Sequence, residues 1–192
     1  MATLPERSIS RIPAKHIRER RHPVAGIVIH SPEMPRREKS ARALGYAFQR
    51  GINFGSGEVV SSVHFCVDST EVVECVPETH VALHAKSDST WRDPQGYANE
   101  RLIGIEAMGR YAYTRDYWLA DNGRQMELLG QLCASLCDAH GIPTRKLLPG
   151  ELLAGHKGLC GHNTVTDAFR VLGGHRDPGH GFPWDILLTE ID

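Results

Sequence analysis

Two short apolar segments, rich in β-branched residues, limit what this chain can fold into more than any other feature. They are PVAGIVIH at residues 23–30 and RLIGIEAMG at residues 101–109. Each is short and nearly continuous in apolar residues, which is typical of a buried strand rather than of a helix. We therefore predict that both segments are buried strands of a sheet.

Segments with helical spacing alternate with these strands. The spacing of apolar residues, with glycine or proline near the ends, predicts helices over residues 39–51, 121–141 and 183–191. Residues 60–78 contain two strand-like runs around DSTE and predict a hairpin. The glycine-rich residues 51–60 predict a loop. This alternation indicates a single α/β domain with a central mixed β-sheet flanked by helices.

Charge and apolar content exclude several classes of protein. The 192 residues carry a net charge of -1 at pH 7, so no nucleic-acid partner is expected. No apolar run approaches the ~18 residues of a membrane-spanning helix. The start of the sequence, MATLPERSISRIP, lacks the apolar core of a secretory signal. We expect a monomer that folds in a cytosol.

The first 22 residues form a basic segment that ends in HIRERRH. Such a segment can touch an acidic surface, but a solvated arm is the simpler interpretation. We therefore divide the chain into a basic N-terminal arm, residues 1–22, and a catalytic domain, residues 23–192. The five scattered cysteines indicate reduced thiols. Cys66 and Cys75 can face each other across the hairpin, which leaves a disulfide there as an alternative.

Histidine and aspartate residues are concentrated in the C-terminal third of the chain. The members of this group are His156, His162, Asp167, His175, Asp177 and His180. Imidazole and carboxylate groups bind Zn²⁺, and three protein ligands with one open position are typical of a catalytic site. The alternative is a polar loop with solvated histidines. His30 ends the first buried strand, where ligands bind in α/β sheets, although a histidine there is more often structural.

Glu106 is the only charged residue in the apolar run LIGIEAMG. A carboxylate held in an apolar cleft near a metal can act as a general base. Gly104 shares its face of the strand and leaves room for another group to approach. The alternative is a buried glutamate paired with an arginine such as Arg110. His64, in SSVHFCVD, and His84, in VALHA, are each interpreted as structural residues or as part of a pocket wall.

The order of these motifs resembles the zinc-dependent N-acetylmuramoyl-L-alanine amidases. The matching motifs are IVIH, SSVHFCVD, VALHA, IGIEAMG, CGHNTVTDAF and GHRDPGHGFPW. The fold of this family is shared with the peptidoglycan recognition proteins, and the motifs resemble those of amidase domains in endolysins from phages of actinobacteria. The resemblance extends over about residues 24–190. It implies one Zn²⁺ per chain and bacterial peptidoglycan as the substrate.

The resemblance also implies a set of ligands. The residues that match the family's zinc ligands are His30, His162 and Asp177. His162 is preferred to His156 as the second ligand, because GHNTVTDAF follows the family's pattern through to Phe169. His156 stays open as an alternative ligand.

The same resemblance implies roles around the metal. Glu106 matches the acidic residue on the family's central strand and is expected to be the general base. His175, two positions before the third ligand, is expected to stabilise the oxyanion. His64 and His84 are expected to bind substrate, and no role is given to His180.

The implied activity is hydrolysis of the amide bond between N-acetylmuramic acid and L-alanine in peptidoglycan. With the missing export signal, this indicates a phage endolysin that accumulates in the bacterial host cytoplasm and acts on the cell wall after release. Two alternatives stay open: a cytosolic amidase that recycles muropeptides, and a peptidoglycan-binding module without catalysis. The presence of all three ligand residues favours the enzyme.

Overall fold

The structure, a computed structural model, describes residues 9–53, 58–85, 97–171 and 174–191. Its strands are β1 (Ile9–Arg11), β2 (Arg18–Glu19), β3 (Gly26–His30), β4 (Ile52–Asn53), β5 (Glu58–Val59), β6 (Phe65–Val67), β7 (Val72–Glu74), β8 (His80–Val81), β9 (Leu102–Ala107) and β10 (Gly158–Gly161). Its helices are α1 (Ser40–Arg50), α2 (Tyr97–Arg101), α3 (Arg115–Trp118), α4 (Arg124–His140), α5 (Pro149–Leu153), α6 (His162–Phe169) and α7 (Trp184–Ile191).

Six of the strands form a central sheet in the order β1-β7-β6-β9-β3-β10. Neighbouring strands are parallel, except that β6 and β7 form the predicted antiparallel hairpin. The predicted mixed sheet is therefore confirmed. The two apolar segments supply β3 and β9, which are neighbours inside the sheet, and every residue of β3 is buried.

The two faces of the sheet have different roles. On one face, alternate residues of β3 and β9 pack in a large core with residues of α4 and α7; they are Ile27, Ile29, Ile103 and Ile105. The opposite face is covered by α1 near β6 and β7, and by α6 near β3 and β10. Side chains alternate along a strand. His30, Gly104 and Glu106 therefore point to this second face.

The helices over residues 39–51, 121–141 and 183–191 are confirmed as α1, α4 and α7. α4 ends where the sequence predicts, because Gly141 adopts a φ of 57° and donates its N–H to the carbonyl of Cys137. The plain loop predicted for residues 51–60 is wrong in part, since β4 and β5 pair there as an antiparallel ribbon. In the described part of the chain, no helix combines the length and apolar content needed to cross a membrane.

From residue 9 onward, the basic N-terminal segment packs against the rest of the domain. β1 adds an edge strand by parallel pairing with β7, and Ile12 and Ala14 are buried. The guanidinium of Arg20 donates hydrogen bonds to three backbone carbonyls, those of Glu78, His80 and Glu100. The interpretation as a solvated arm therefore does not hold for residues 9–22. Apolar residues are interspersed among the basic ones in this segment, so its charge alone does not predict how it packs.

All five cysteines are buried and free. Cys66 and Cys75 face each other across the hairpin as expected, with their Sγ atoms 3.9 Å apart. A disulfide requires about 2.05 Å, so the two thiols are in contact but not bonded. Burial raises the pKa of the Cys66 thiol, and the neighbouring Cys75 raises it further.

Candidate metal centre and active site

Three parallel strands end at one edge of the sheet and bring distant residues together. His30 is the last residue of β3, and Glu106 is its partner in the register on β9. On the other side of β3, Gly161 of β10 pairs with Ile29, and His162 follows it as the first residue of α6. The carboxyl ends of parallel strands are the edge at which ligands bind in open α/β sheets.

Asp177 reaches the same point from the loop between α6 and α7. Its Oδ2 accepts a hydrogen bond from the backbone N–H of Ser31, at 3.0 Å. Its own carbonyl oxygen accepts one from the backbone N–H of Asn163, also at 3.0 Å. These donors directly follow His30 and His162 in the chain, so the two contacts fix the aspartate between the two histidines.

The side chains of His30, His162 and Asp177 converge, with their ligand atoms all within 4.8 Å of one another. His30 Nδ1 is 3.1 Å from His162 Nδ1 and 3.5 Å from Asp177 Oδ2. His162 Nδ1 is 3.3 Å from Asp177 Oδ1. All three side chains are buried. Two imidazoles and one carboxylate are a ligand set for Zn²⁺ that leaves a fourth position open.

The surroundings keep two of these groups in the protonation states that metal binding requires. Burial, together with the charge of the neighbouring His162, lowers the pKa of His30 to about 4. Burial alone would raise the pKa of Asp177, but interactions with the adjacent His162 and His30 hold it well below its usual range. Near neutral pH, the site therefore presents a neutral imidazole and a carboxylate.

Glu106 lies beside this group, as the register partner of His30. Its Oε2 is buried and has no hydrogen-bond partner among the residues that the structure describes. Burial raises the pKa of Glu106 well above its usual range, and the negative charge of Asp177 raises it further. Arg110, the alternative partner, is exposed. A partly buried carboxyl with a raised pKa is typical of a group that transfers protons.

His175 lies at the mouth of the site. Its ring stacks on that of His162, with centroids 4.8 Å apart and planes 9° apart. Its Nδ1 is 3.8 Å from Asp177 Oδ1, and its side chain is 74% exposed. His175 can therefore approach a bound molecule from the solvent side.

His64 lies beneath the site and is completely buried. Its Nδ1 accepts a hydrogen bond from the backbone N–H of Gly104 at 3.0 Å, and its Nε2 is 3.1 Å from the carbonyl oxygen of His80. Burial and the charge of Arg20 lower the pKa of His64 to about 3. In this position, His64 connects β9 to β8 and has no surface to offer a substrate.

His84 contacts His30 from the side away from Asp177. Its Nδ1 is 2.9 Å from His30 Nε2, and its own Nε2 is 3.3 Å from the carbonyl oxygen of Leu102. Burial lowers the pKa of His84 well below its usual range, and the charge of His30 lowers it further. The residue expected to line a substrate pocket therefore contacts a candidate ligand.

The other members of the C-terminal cluster lie apart from the site. His156 is exposed, and its Nδ1 is 3.2 Å from a guanidinium nitrogen of Arg145. Asp167 forms a surface ion pair with an arginine, and His180 is exposed. Of the two Gly-His pairs, the one that contains His162 supplies a side chain to the candidate metal site.

A match to a known family agrees with this geometry. Residues 20–180 match the family described as N-acetylmuramoyl-L-alanine amidase, and that range includes every residue of the site. The chain belongs to the N-acetylmuramoyl-L-alanine amidase family. This amidase is therefore an enzyme, and its family hydrolyses the amide bond between N-acetylmuramic acid and L-alanine. Peptidoglycan contains this bond.

Solved structures share the fold of the amidase. Staphylococcus aureus hydrolase AmiA, in complex with its ligand, aligns with a TM-score of 0.64 and 17% identity over 100% of this chain and 85% of that one. A selenomethionine derivative of AmpD aligns with a TM-score of 0.64 and 20% identity, over 100% of each chain. A mutant endolysin from Bacillus subtilis aligns with a TM-score of 0.58 and 18% identity, over 96% of this chain and 98% of that one. No curated protein matches the amidase in sequence.

Sequence reasoning missed the groups that hold the amidase site in place. The N–H groups of Ser31 and Asn163 belong to the backbone and leave no side-chain signal. Gly104 did give a signal, as the residue that leaves room for another group. That group is the ring of His84, because a Cβ on Gly104 would lie 2.5 Å from His84 Cγ.

Proposed function

We propose that this amidase is a zinc-dependent hydrolase of the bond between N-acetylmuramic acid and the L-alanine of the stem peptide. The observation that carries the proposal is the convergence of His30, His162 and Asp177, whose ligand atoms lie within 4.8 Å of one another. Their chemistry fits Zn²⁺, and three ligands leave one position open. Bound zinc would supply a Lewis acid that polarises the scissile carbonyl and lowers the pKa of a water to ~7.

Glu106 acts in this proposal as the general base and then as the general acid. Its carboxylate takes a proton from the attacking water, whose oxygen bonds to the carbonyl carbon of the lactyl group. The same carboxyl then gives the proton to the nitrogen of L-alanine as the carbon–nitrogen bond breaks. The buried Oε2 supports this role, because no hydrogen bond to another described residue has to break before it accepts a proton.

His175 stabilises the negative charge that develops on the carbonyl oxygen. Its exposed ring lies at the mouth of the site, 3.8 Å from Asp177 Oδ1, and can turn toward a bound substrate. A donor placed in this way typically contributes roughly 2.7–4 kcal/mol to the stability of the transition state.

We propose a phage endolysin as the biological role, with the protein held in the host cytoplasm until it is released to the cell wall. The motifs that resemble endolysin amidase domains and the fold shared with a Bacillus subtilis endolysin support this role. An amidase that recycles soluble muropeptides would use the same residues. Lysis of intact actinobacterial walls supports the endolysin, and cleavage restricted to soluble muropeptides supports recycling.

Mass spectrometry of digested peptidoglycan tests the reaction. We expect stem peptides with a free L-alanine amino group and uncut sugar strands, and we expect a chelator to stop their release and added Zn²⁺ to restore it. Glu106→Gln keeps the shape of the side chain but removes the base, so turnover is expected to fall by about 10²–10⁴-fold. Zinc content is expected to stay at the wild-type level.

Glu127→Gln is the matched control, because Glu127 lies on α4 in an exposed ion pair with Arg124. Its turnover is expected to equal that of the wild type. Near-normal turnover of the Glu106→Gln variant would exclude Glu106 as the base. Release of cut sugar strands, or full activity in the presence of chelator, would exclude the zinc amidase reaction. Binding of peptidoglycan without any release would indicate a binding module.

A further inference from the structure

His30 is held at both of its ring nitrogens. Its Nδ1 faces the candidate metal site, 3.5 Å from Asp177 Oδ2. Its Nε2 faces away from the site and lies 2.9 Å from His84 Nδ1. In the proposed reaction Nδ1 is the candidate zinc ligand, whereas the contact between Nε2 and His84 has no role.

The hydrogen bonds of His84 determine which nitrogen of His30 carries a proton. His84 Nε2 is 3.3 Å from the carbonyl oxygen of Leu102, and a carbonyl oxygen can only accept, so this nitrogen is the donor. A neutral imidazole has a single N–H. His84 Nδ1 is therefore an acceptor, and the proton between the two rings belongs to His30 Nε2. His30 Nδ1 is then left with a lone pair that points to His162 and Asp177.

The position of the His84 ring is specified by the segment that leads into β9. The backbone N–H groups of His84 and Ala85 both donate to the side-chain oxygen of Asn99, at 2.9 and 2.8 Å. Asn99 lies in α2, which continues directly into the strand that supplies the carbonyl of Leu102. The ring also lies close against Gly104, where a Cβ would be 2.6 Å from His84 Nδ1.

This arrangement argues against a contact between His84 and substrate. Both ring nitrogens already have partners, one in His30 and one in the backbone of β9. A substrate that bound either nitrogen would have to displace one of these hydrogen bonds in a nearly buried environment. Loss of a buried partner is unfavourable by about 1–3 kcal/mol.

We propose that His84 is a positioning residue for the metal site, which accepts a hydrogen bond from His30 and so fixes the tautomer whose Nδ1 binds the metal. This inference rests on the zinc site proposed above, although the tautomer itself does not require a bound ion. Histidine ligands of metals usually donate their other N–H to a carboxylate or a carbonyl. Here a second imidazole takes that place, and the backbone carbonyl of Leu102 ends the chain of hydrogen bonds.

Two substitutions at the same position separate the hydrogen bond from the volume of the ring. His84→Leu fills the space but offers no acceptor, whereas the side-chain oxygen of His84→Asn can accept near the place of Nδ1. We expect His84→Leu to weaken Zn²⁺ binding by about 10–100-fold, measured by competition with a chromogenic chelator. His84→Asn is expected to bind Zn²⁺ more tightly than His84→Leu.

His140→Leu is the matched control, because His140 forms its hydrogen bond with Glu78 at 2.6 Å rather than with a candidate ligand. Its affinity for Zn²⁺ is expected to match that of the wild type. Wild-type affinity in His84→Leu would overturn the proposal. So would a His84→Asn variant that binds no more tightly than His84→Leu.

The second measurement is the tautomer of His30 in the chelator-treated wild-type protein, observed through long-range couplings between ring protons and ¹⁵N. We expect a protonated Nε2 and an unprotonated Nδ1. The reverse assignment would overturn the proposal, even if His84→Leu failed to fold. If the wild type bound no Zn²⁺, the zinc proposal would fail, and this spectrum would still decide the role of His84.

Discussion

Two carboxyl groups share the site, one buried and one partly buried, and their surroundings shift the two pKa values in opposite directions. Asp177 accepts a hydrogen bond from the backbone N–H of Ser31 and lies against the rings of His162 and His30, and its pKa is lowered in spite of its burial. Within the described part of the chain, the Oε2 of Glu106 has no hydrogen-bond partner, and burial raises the pKa of this carboxyl. Environments that separate two carboxyl groups in this way assign them different roles. Asp177 suits a ligand, and Glu106 suits a proton carrier.

The raised pKa of Glu106 makes a prediction about stability in the metal-free protein. Above the ordinary value of 4.5, the unfolded chain releases a proton that the folded chain keeps. The free energy of unfolding therefore falls as pH rises from 4.5 toward the folded-state pKa. Glu106→Gln avoids this loss. We therefore expect the stability of the variant relative to the wild type to be higher at pH 7 than at pH 4. Urea unfolding with a chelator present measures the difference.

Glu127→Gln provides the control for this measurement, because its exposed carboxyl has water as an alternative partner. Its difference from the wild type is expected to stay small at both pH values. A Glu106→Gln difference that is equal at pH 4 and pH 7 would contradict the raised pKa.

The two Gly-His pairs give a second prediction at the scale of single residues. His162→Ala removes a candidate ligand, so we expect Zn²⁺ to bind with less than one tenth of the wild-type affinity. His156→Ala removes an exposed side chain that contacts Arg145, and its affinity is expected to be unchanged. Titration with Zn²⁺ measures both. The reverse pattern would assign the ligand to His156 after all.

Roles at the residue scale were predictable only where a side chain itself carries the chemistry. His30, His162, Asp177 and Glu106 stand in motifs, and the structure brings them together. The position of His84 behind His30 depends on which atoms fill its hydrogen bonds in the fold. No pattern in VALHA shows that the carbonyl oxygen of Leu102 will contact the ring of His84.

At the scale of elements, the sequence predicts long or strongly apolar segments well. β3, β9, α1, α4 and the hairpin all follow from apolar spacing and end signals. β10 was missed because GLCG has glycine at both ends and too few apolar residues to indicate a strand. α6 was missed because eight residues give little more than two turns of periodicity.

Gly104 gives a prediction that belongs to the packing between β9 and the segment that carries His84. In Gly104→Ala, the new Cβ would lie 2.5 Å from His84 Cγ, so the ring has to move. We expect Zn²⁺ affinity to fall by about tenfold or more, because His30 loses its hydrogen-bond acceptor. Gly150→Ala is the control, since a Cβ there meets nothing within 4 Å. Unchanged Zn²⁺ affinity in Gly104→Ala would contradict this account of the packing.

The whole molecule joins residues that are far apart in the chain. His30 and His162 are separated by 132 positions, and the parallel strands β3 and β10 bring them into contact. The alternation of strand-like and helix-like segments predicts the class of fold. It does not predict the order of strands, because the order depends on which strand edges pair in three dimensions. The same limit explains why β1 was not expected at the edge of the sheet.

The N-terminal segment is expected to stabilise the whole domain through Arg20. Arg20→Met would leave three backbone carbonyls without their donor, so we expect the free energy of unfolding to fall by roughly 3 kcal/mol. Arg18→Met is the control, because Arg18 is 51% exposed and lies 4.0 Å from Glu100. Its effect is expected to stay within about 0.5 kcal/mol. Urea unfolding compares the two, and equal stabilities would show that residues 9–22 act as a separate arm.

Diffraction at the zinc absorption edge, from crystals grown with Zn²⁺, shows whether His30, His162 and Asp177 bind one ion together. We expect one anomalous peak per chain, about 2.0–2.2 Å from Nδ1 of His30, Nδ1 of His162 and a carboxylate oxygen of Asp177. Glu106 is expected to lie beside the peak without binding the ion. A map with no peak between these three side chains, or with its peak at His156, would contradict the account.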